Sequence, residues 1–240
     1  MYTTDPHPTD PARSTRLLPP APPGDAAAPR PSRAWAWTGA AGGLLGLVGL
    51  MATGSLYDAA TGVVADNSAL AAAVAENATT VWIHQVVCGV VAVCMLVFAL
   101  GLRRHLAAQE PAGSLVPGLA GAGVGLVAVA LLVGGGIDTE MWWALAGDQP
   151  FDPDTIGAHV AVYNTISWLW AGVGVTAGAV AYGGFRNGSV GRALTWFSVP
   201  TALLVAATQV TPTQYAALMP AALWLIVAGL VLGRGAGRRA

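Results

Sequence analysis

Two histidines, His84 and His159, are the residues of this chain best placed to do chemistry in an apolar setting. Each falls four or five residues into a long hydrophobic run. Imidazole is also the side chain that titrates near neutral pH and ligates metals most readily. Cys88 follows His84 by one helical turn, and Tyr163 follows His159 by the same spacing. Gln85, Asn164, Gln209, Gln214 and Tyr215 reach the same level, while Trp170 sits deeper on the His159 helix. The candidate ligand-binding set is therefore His84, Gln85, His159, Tyr163, Asn164, Trp170 and Gln209. Three chemistries fit it: hydrogen bonds between helices near the interface, a pocket for a small molecule or lipid headgroup, or haem b or a metal on His84 and His159. Cys88 is a further ligand in the third case. Two lone histidines on separate helices, with no HxxxH spacing, make a thin metal signature, so no cofactor is predicted and haem stands as the alternative.

Other chemistry finds no support. All eleven basic residues are arginine, so no lysine can form a Schiff base with retinal or pyridoxal phosphate. There is no phosphate loop, no GxSxG and no HExxH, and no catalytic residue is assigned. The glycine run around Gly118–Gly125 lies inside an apolar stretch with no preceding strand, which points to helix packing and not to a dinucleotide site. Cys88 and Cys94, six residues apart on one helix, lie on different faces and cannot bridge each other. Nucleic-acid binding has no basis beyond a few arginines that topology explains.

The elements that must position these residues follow from composition. The chain has 240 residues, 55% hydrophobic and 10% charged, with a mean hydropathy of +0.59. A soluble domain carries about 25% charged residues, and a helix needs about 20 apolar residues to cross ~30 Å of hydrocarbon. Six stretches meet that length, at about 34–55, 80–102, 115–137, 155–184, 193–210 and 213–233. The expected fold is an all-α bundle of six transmembrane helices. Residues 1–33 hold nine of the sixteen prolines and form a disordered, Pro-rich tail with no signal-peptide pattern. Between the first two spans, the Ala-rich part after Asn67 and Ser68 reads as a short capped helix outside the membrane. The stretch from Asp138 to Pro153, with Trp142 and Trp143, reads as an acidic, aromatic cap. No Asp, Glu or Arg falls inside a predicted span, which argues against an ion-coupled carrier.

The fourth span carries the most polar stripe. His159, Tyr163, Ser167, Trp170, Gly174 and Gly178 share one helical face, polar at its outer end and built for close packing at its inner end. Pairs Gly39/Gly43, Gly42/Gly46 and Gly121/Gly125 give further close-approach faces. Trp168, Trp170 and Trp224 sit near mid-membrane, where each indole N–H needs an acceptor such as Thr165, Ser167 or a carbonyl freed by Pro200 or Pro220.

Charge sets the orientation. With six spans and an inside N-terminus, all eleven arginines fall on one side, and Asp58, Asp66, Glu76, Asp138, Glu140, Asp148, Asp152 and Asp154 on the other. The positive-inside rule then places both termini in the cytoplasm of a bacterium, with the protein in its inner membrane. The DTEMWWALAG loop, the YNTISWLWAGVG helix and the closing QYAALMPAALWLIVAGLVLG resemble a family of uncharacterised multi-pass proteins common in actinobacteria. The resemblance covers about the last hundred residues; it implies a six-helix membrane protein and lends no catalytic residue. The expected function is that of a non-enzymatic membrane component binding a lipid, small ligand or partner protein at its outer face. A partner could be another membrane protein or a second copy. A haem-bearing or redox enzyme using His84 and His159 is the alternative, and a small-molecule transporter the third.

Overall fold

The computed structural model describes residues 32–53, 66–146, 152–211 and 213–235, which belong to one compact unit. The Pro-rich tail at 1–31, the segments 54–65 and 147–151, and Pro212 lie outside the described residues. Helix α1 spans Ala34–Thr53, with a π turn at Gly46–Leu50. Helix α2 is short, Asn67–Ala75, and α3 and α4 are long, Ala78–Ala107 and Val116–Ala146. Helix α5 runs Pro153–Asn187, α6 Arg192–Val210 and α7 Gln214–Arg234. Six of these, all but α2, are long and apolar enough to cross a membrane. The fold is an all-α six-helix bundle, and the protein is an integral, multi-pass membrane protein.

The spans close into a ring. Helix α1 packs on α7 and α3, α3 on α4, α4 on α5, α5 on α6, and α6 on α7. The core between them holds Phe98, Met95, Leu102, Leu106, Val173, Leu194, Trp224 and Leu225, each with no exposed surface. Val48, Val93, Leu100, Leu126, Leu132 and Leu203 point outward instead, as a lipid-facing surface requires.

Small residues set how closely the helices approach. A Cβ on Gly43 would meet the Ala222 carbonyl at 2.9 Å, and one on Gly39 would enter the Phe98 ring, so the α1 glycines serve contacts within the chain. A close crossing joins α4 to α5, where a Cβ on Gly123 or on Gly172 would strike the other's carbonyl oxygen. Thr176 fastens that crossing by donating its hydroxyl to the Ala120 carbonyl at 2.9 Å. Gly178, expected to be a packing residue, has only the Ala202 Cβ near it at 3.9 Å, and nothing lies within 4 Å of a Cβ on Gly125. Spacing identified small faces, but which glycine touches a neighbour depends on crossing points that spacing does not carry.

Trp224 finds its acceptor on α6, donating its indole N–H to Ser198 Oγ at 2.8 Å. That partner differs from Thr165, Ser167 or a freed carbonyl, because α7 faces Ser198 across the core. Trp168 is half exposed on the outside of α5, so it is a lipid-side residue and not a core one.

Candidate functional site

The largest departure from the sequence-based expectation is in α4. The acidic run beginning at Asp138 reads as a loop, yet the helix continues through Asp138 and Glu140 to Ala146. Asp138 is 0% exposed. The carboxylate is tolerated because α3 presents His84, itself 1% exposed, with Nδ1 at 2.7 Å from Asp138 Oδ2. An acidic residue followed by Trp142 and Trp143 is a sound loop signal in isolation; a partner on the neighbouring helix overrides it. Hence the expectation that no acidic residue lies within a span does not hold.

Tyr163 completes the arrangement from α5. Its hydroxyl lies 2.9 Å from His84 Nε2, and the two rings meet edge-on with centroids 5.5 Å apart. Cys88, one turn along α3 and 2% exposed, brings its Sγ to 3.8 Å from His84 Nδ1. His84, Cys88 and Asp138 each offer a ligand atom within 4.8 Å of the others. Three helices thus converge on one imidazole.

Glycines precede Asp138 where the three helices meet. Gly134, Gly135 and Gly136 precede Asp138 by about one turn on α4. A Cβ on Gly135 would touch Cys88 Cβ at 3.4 Å, and one on Gly134 would touch the Tyr163 ring at 3.6 Å. Both are ordinary van der Waals contacts, so α3 and α5 lie against α4 at these positions, where Asp138 reaches His84 with a short side chain. Thr139 donates its hydroxyl back to the Gly135 carbonyl at 2.8 Å, satisfying itself within the helix.

A second apolar layer covers the site at one end. Leu70 and Val74 of α2, Val81, Met141 and Val160 form one buried cluster, with Trp142 and Tyr163 packed against it. Helix α2 is held there by its own N-cap, since Asp66 accepts from the Ser68 and Ala69 amides at 2.9 and 3.2 Å. The cap is one residue earlier than the Asn67–Ser68 start expected, which frees Asn67 to donate to Asp154 at 2.8 Å and tie α2 to the start of α5. Beside this cap, a cleft of about 380 Å³ is lined by Ala71, Ala75, Ala144, Leu145, Asp152 and Ile156.

The remaining expected site residues do not join the cluster. His159 is on α5 one turn before Tyr163 and lies outside the His84–Cys88–Asp138 group. Its Nδ1 is buried with no hydrogen-bond partner among the described residues, and the same holds for both polar atoms of the Gln209 side chain. Gln85 is half-buried beside His84 on α3, and Trp170 is in the main core at 9% exposed. The Asn164 side chain lies outside the described parts. Of the acidic and aromatic lid, Trp142 is half-buried and Trp143 exposed on the last turns of α4, their rings 5.0 Å apart.

The fold and this cluster define a multi-pass α-helical membrane protein with a polar, ionisable site buried inside its bundle. No protein-family model, no curated protein and no solved structure matches the chain.

Proposed function

We propose that the chain is a non-enzymatic component of a bacterial plasma membrane that binds a small ligand in the outer half of its bundle. The observation that supports this is the His84–Asp138 pair, bonded at 2.7 Å with 1% and 0% of the side chains exposed. Removing two ionisable groups from water costs several kcal/mol each, and apolar residues of similar size commonly fill such a space with equal or better stability. Ionisable residues held within spans are therefore functional by default. The buried His159 Nδ1 and Gln209 amide at the same end are groups that a ligand's polar atoms would satisfy.

A second reading, ion-coupled transport, is favoured by Asp138 itself, because a carboxylate paired with histidine inside a span is the equipment such carriers use. Uptake by a demonstrated substrate assay that survives His84→Ala would remove it. The haem alternative asks more, because Asp138 and Tyr163 occupy both nitrogens of His84 and would have to release the ring. A Soret band in the purified protein is its test. Membrane lipids cover the apolar outer faces in this reading, and a protein partner or second copy would dock there too. Nucleic acid has no role.

Orientation follows the arginines, with both termini cytoplasmic. An impermeant maleimide should label Ser68→Cys only from outside and Ala112→Cys only from inside; both positions are exposed. Labelling of both from one side would contradict it. Native mass spectrometry of the full chain tests the ligand reading. The wild type should carry a bound species absent from the His84→Leu, Asp138→Leu, Tyr163→Phe triple variant. A bare wild type, or equal occupancy in the two proteins, would sink the reading.

A further inference from the structure

We infer that His84, Cys88 and Asp138 hold a divalent transition-metal ion of the zinc type, with Tyr163 as the outer partner of the imidazole. This deepens the ligand reading above and rests on it. The donor set itself selects the ion. One imidazole, one thiolate and one carboxylate suit zinc and its neighbours, whereas magnesium and calcium take oxygen ligands throughout. Charge selects the valence. A carboxylate and a thiolate neutralise a divalent ion, and a neutral site is the one that costs least to bury among 0–2% exposed side chains.

Two of the three ligand–ligand distances agree with one small adjustment, and Cys88 Sγ and the Asp138 carboxylate stand within 4.8 Å. Zinc binds nitrogen at about 2.0–2.1 Å and sulfur at about 2.3 Å, which puts tetrahedral N and S ligands roughly 3.6 Å apart. Cys88 Sγ and His84 Nδ1 stand 3.8 Å apart. An imidazole nitrogen and a carboxylate oxygen on one ion stand roughly 3.3 Å apart, and His84 Nδ1 and Asp138 Oδ2 are at 2.7 Å. The ion thus takes the place of the hydrogen between them and spreads the pair by about half an ångström. Cys88 gives up its thiol proton to solvent, and the proton displaced from between Nδ1 and Oδ2 moves to Nε2, so the imidazole stays neutral.

Tyr163 supplies an oxygen beside that nitrogen. A metal-bound histidine almost always donates its other ring N–H to an oxygen, which fixes the tautomer and the ring plane. Tyr163 Oη lies 2.9 Å from Nε2 and 3.5 Å from Nδ1. Three protein ligands leave a fourth tetrahedral position for an exchangeable group, the pattern of a site that binds and releases.

Cobalt(II) provides the test, because thiolate ligation gives a near-ultraviolet charge-transfer band and tetrahedral geometry gives visible bands. Full-length protein in detergent, stripped with a chelator, is titrated with cobalt chloride alone and then with zinc chloride. Both band sets should appear at one cobalt per chain and be displaced by zinc. Cys88→Ser should abolish the charge-transfer band, and Cys94→Ser should leave it. Tyr163→Phe, which keeps every ligand, should weaken binding roughly 10-fold or more, and Asp138→Asn should weaken it further. Folded protein, verified by circular dichroism, that shows no band at millimolar cobalt would overturn the proposal, and so would a band unchanged in Cys88→Ser. If cobalt fails while the mass spectrum still shows a species lost in the triple variant, the ion is wrong and the ligand reading stands. If both fail, both fall.

Discussion

Replacing the buried pair by hydrocarbon separates a binding device from a structural clasp. In a Tyr163→Phe background, His84→Leu alone leaves the Asp138 carboxyl at 0% exposure without the imidazole that sits 2.7 Å from it. Stranding one member of a buried pair costs about 3–5 kcal/mol. Asp138→Leu alone removes a hydrogen-bond partner from the buried His84 ring, about 1–3 kcal/mol. The two losses sum to roughly 4–8 kcal/mol if they are independent. The double variant should instead lie near zero, or be stabilised by up to about 4 kcal/mol, because leucines fill the same space with no charge to desolvate. The coupling energy is then roughly 4 kcal/mol or more, far above the ~0.5 kcal/mol of independent sites. Reversible unfolding in mixed micelles, followed by far-ultraviolet circular dichroism, reads each corner of the cycle. A double variant as unstable as its worse parent would refute the reasoning, since the pair would then be holding the fold.

Other consequences follow from packing. Gly178→Ala should raise stability by about 0.5–1 kcal/mol through helix propensity, given its ordinary 3.9 Å neighbour. Gly172→Ala on the same helix must drive its methyl into the Gly123 carbonyl, and overpacking of about 1–3 kcal/mol should outweigh the same propensity gain; unfolding midpoints moving in the same direction would contradict this. Ser198→Ala should cost about 1–3 kcal/mol by stranding the buried Trp224 N–H, and Trp224→Phe in that background should recover part of the loss, as read by the same unfolding assay. Cys88, covered on all sides, should react with N-ethylmaleimide at least tenfold more slowly than Cys94, which is half-buried.

The spans were legible because each run is long enough to cross hydrocarbon and carries its arginines at one end only. His84, Cys88 and Tyr163 were legible too, as polar groups repeating one turn apart within apolar runs. Asp138 was not: an acidic residue next to Glu140 and two tryptophans looks like the end of a helix, and only the packing of α3 on α4 supplies the partner that keeps it inside. Gly134 and Gly135, one turn earlier, mark where α5 and α3 come into contact with α4. His159 and Gln209 share the level of the cluster in sequence register, but helix rotation about the axis decides which residues meet, and that rotation is set by tertiary contacts.

The claim that His84, Cys88 and Asp138 form a binding site is tested most directly by thermal unfolding of the full chain with and without zinc. Zinc at about 100 times its dissociation constant should stabilise the wild type by about 2.7 kcal/mol. At about 2–4 °C per kcal/mol for a chain of this size, the melting temperature should rise saturably by roughly 5–10 °C. The same zinc should leave a Cys88→Ser, Asp138→Asn variant where it was. No shift in the wild type, or an equal shift in both proteins, would contradict the account.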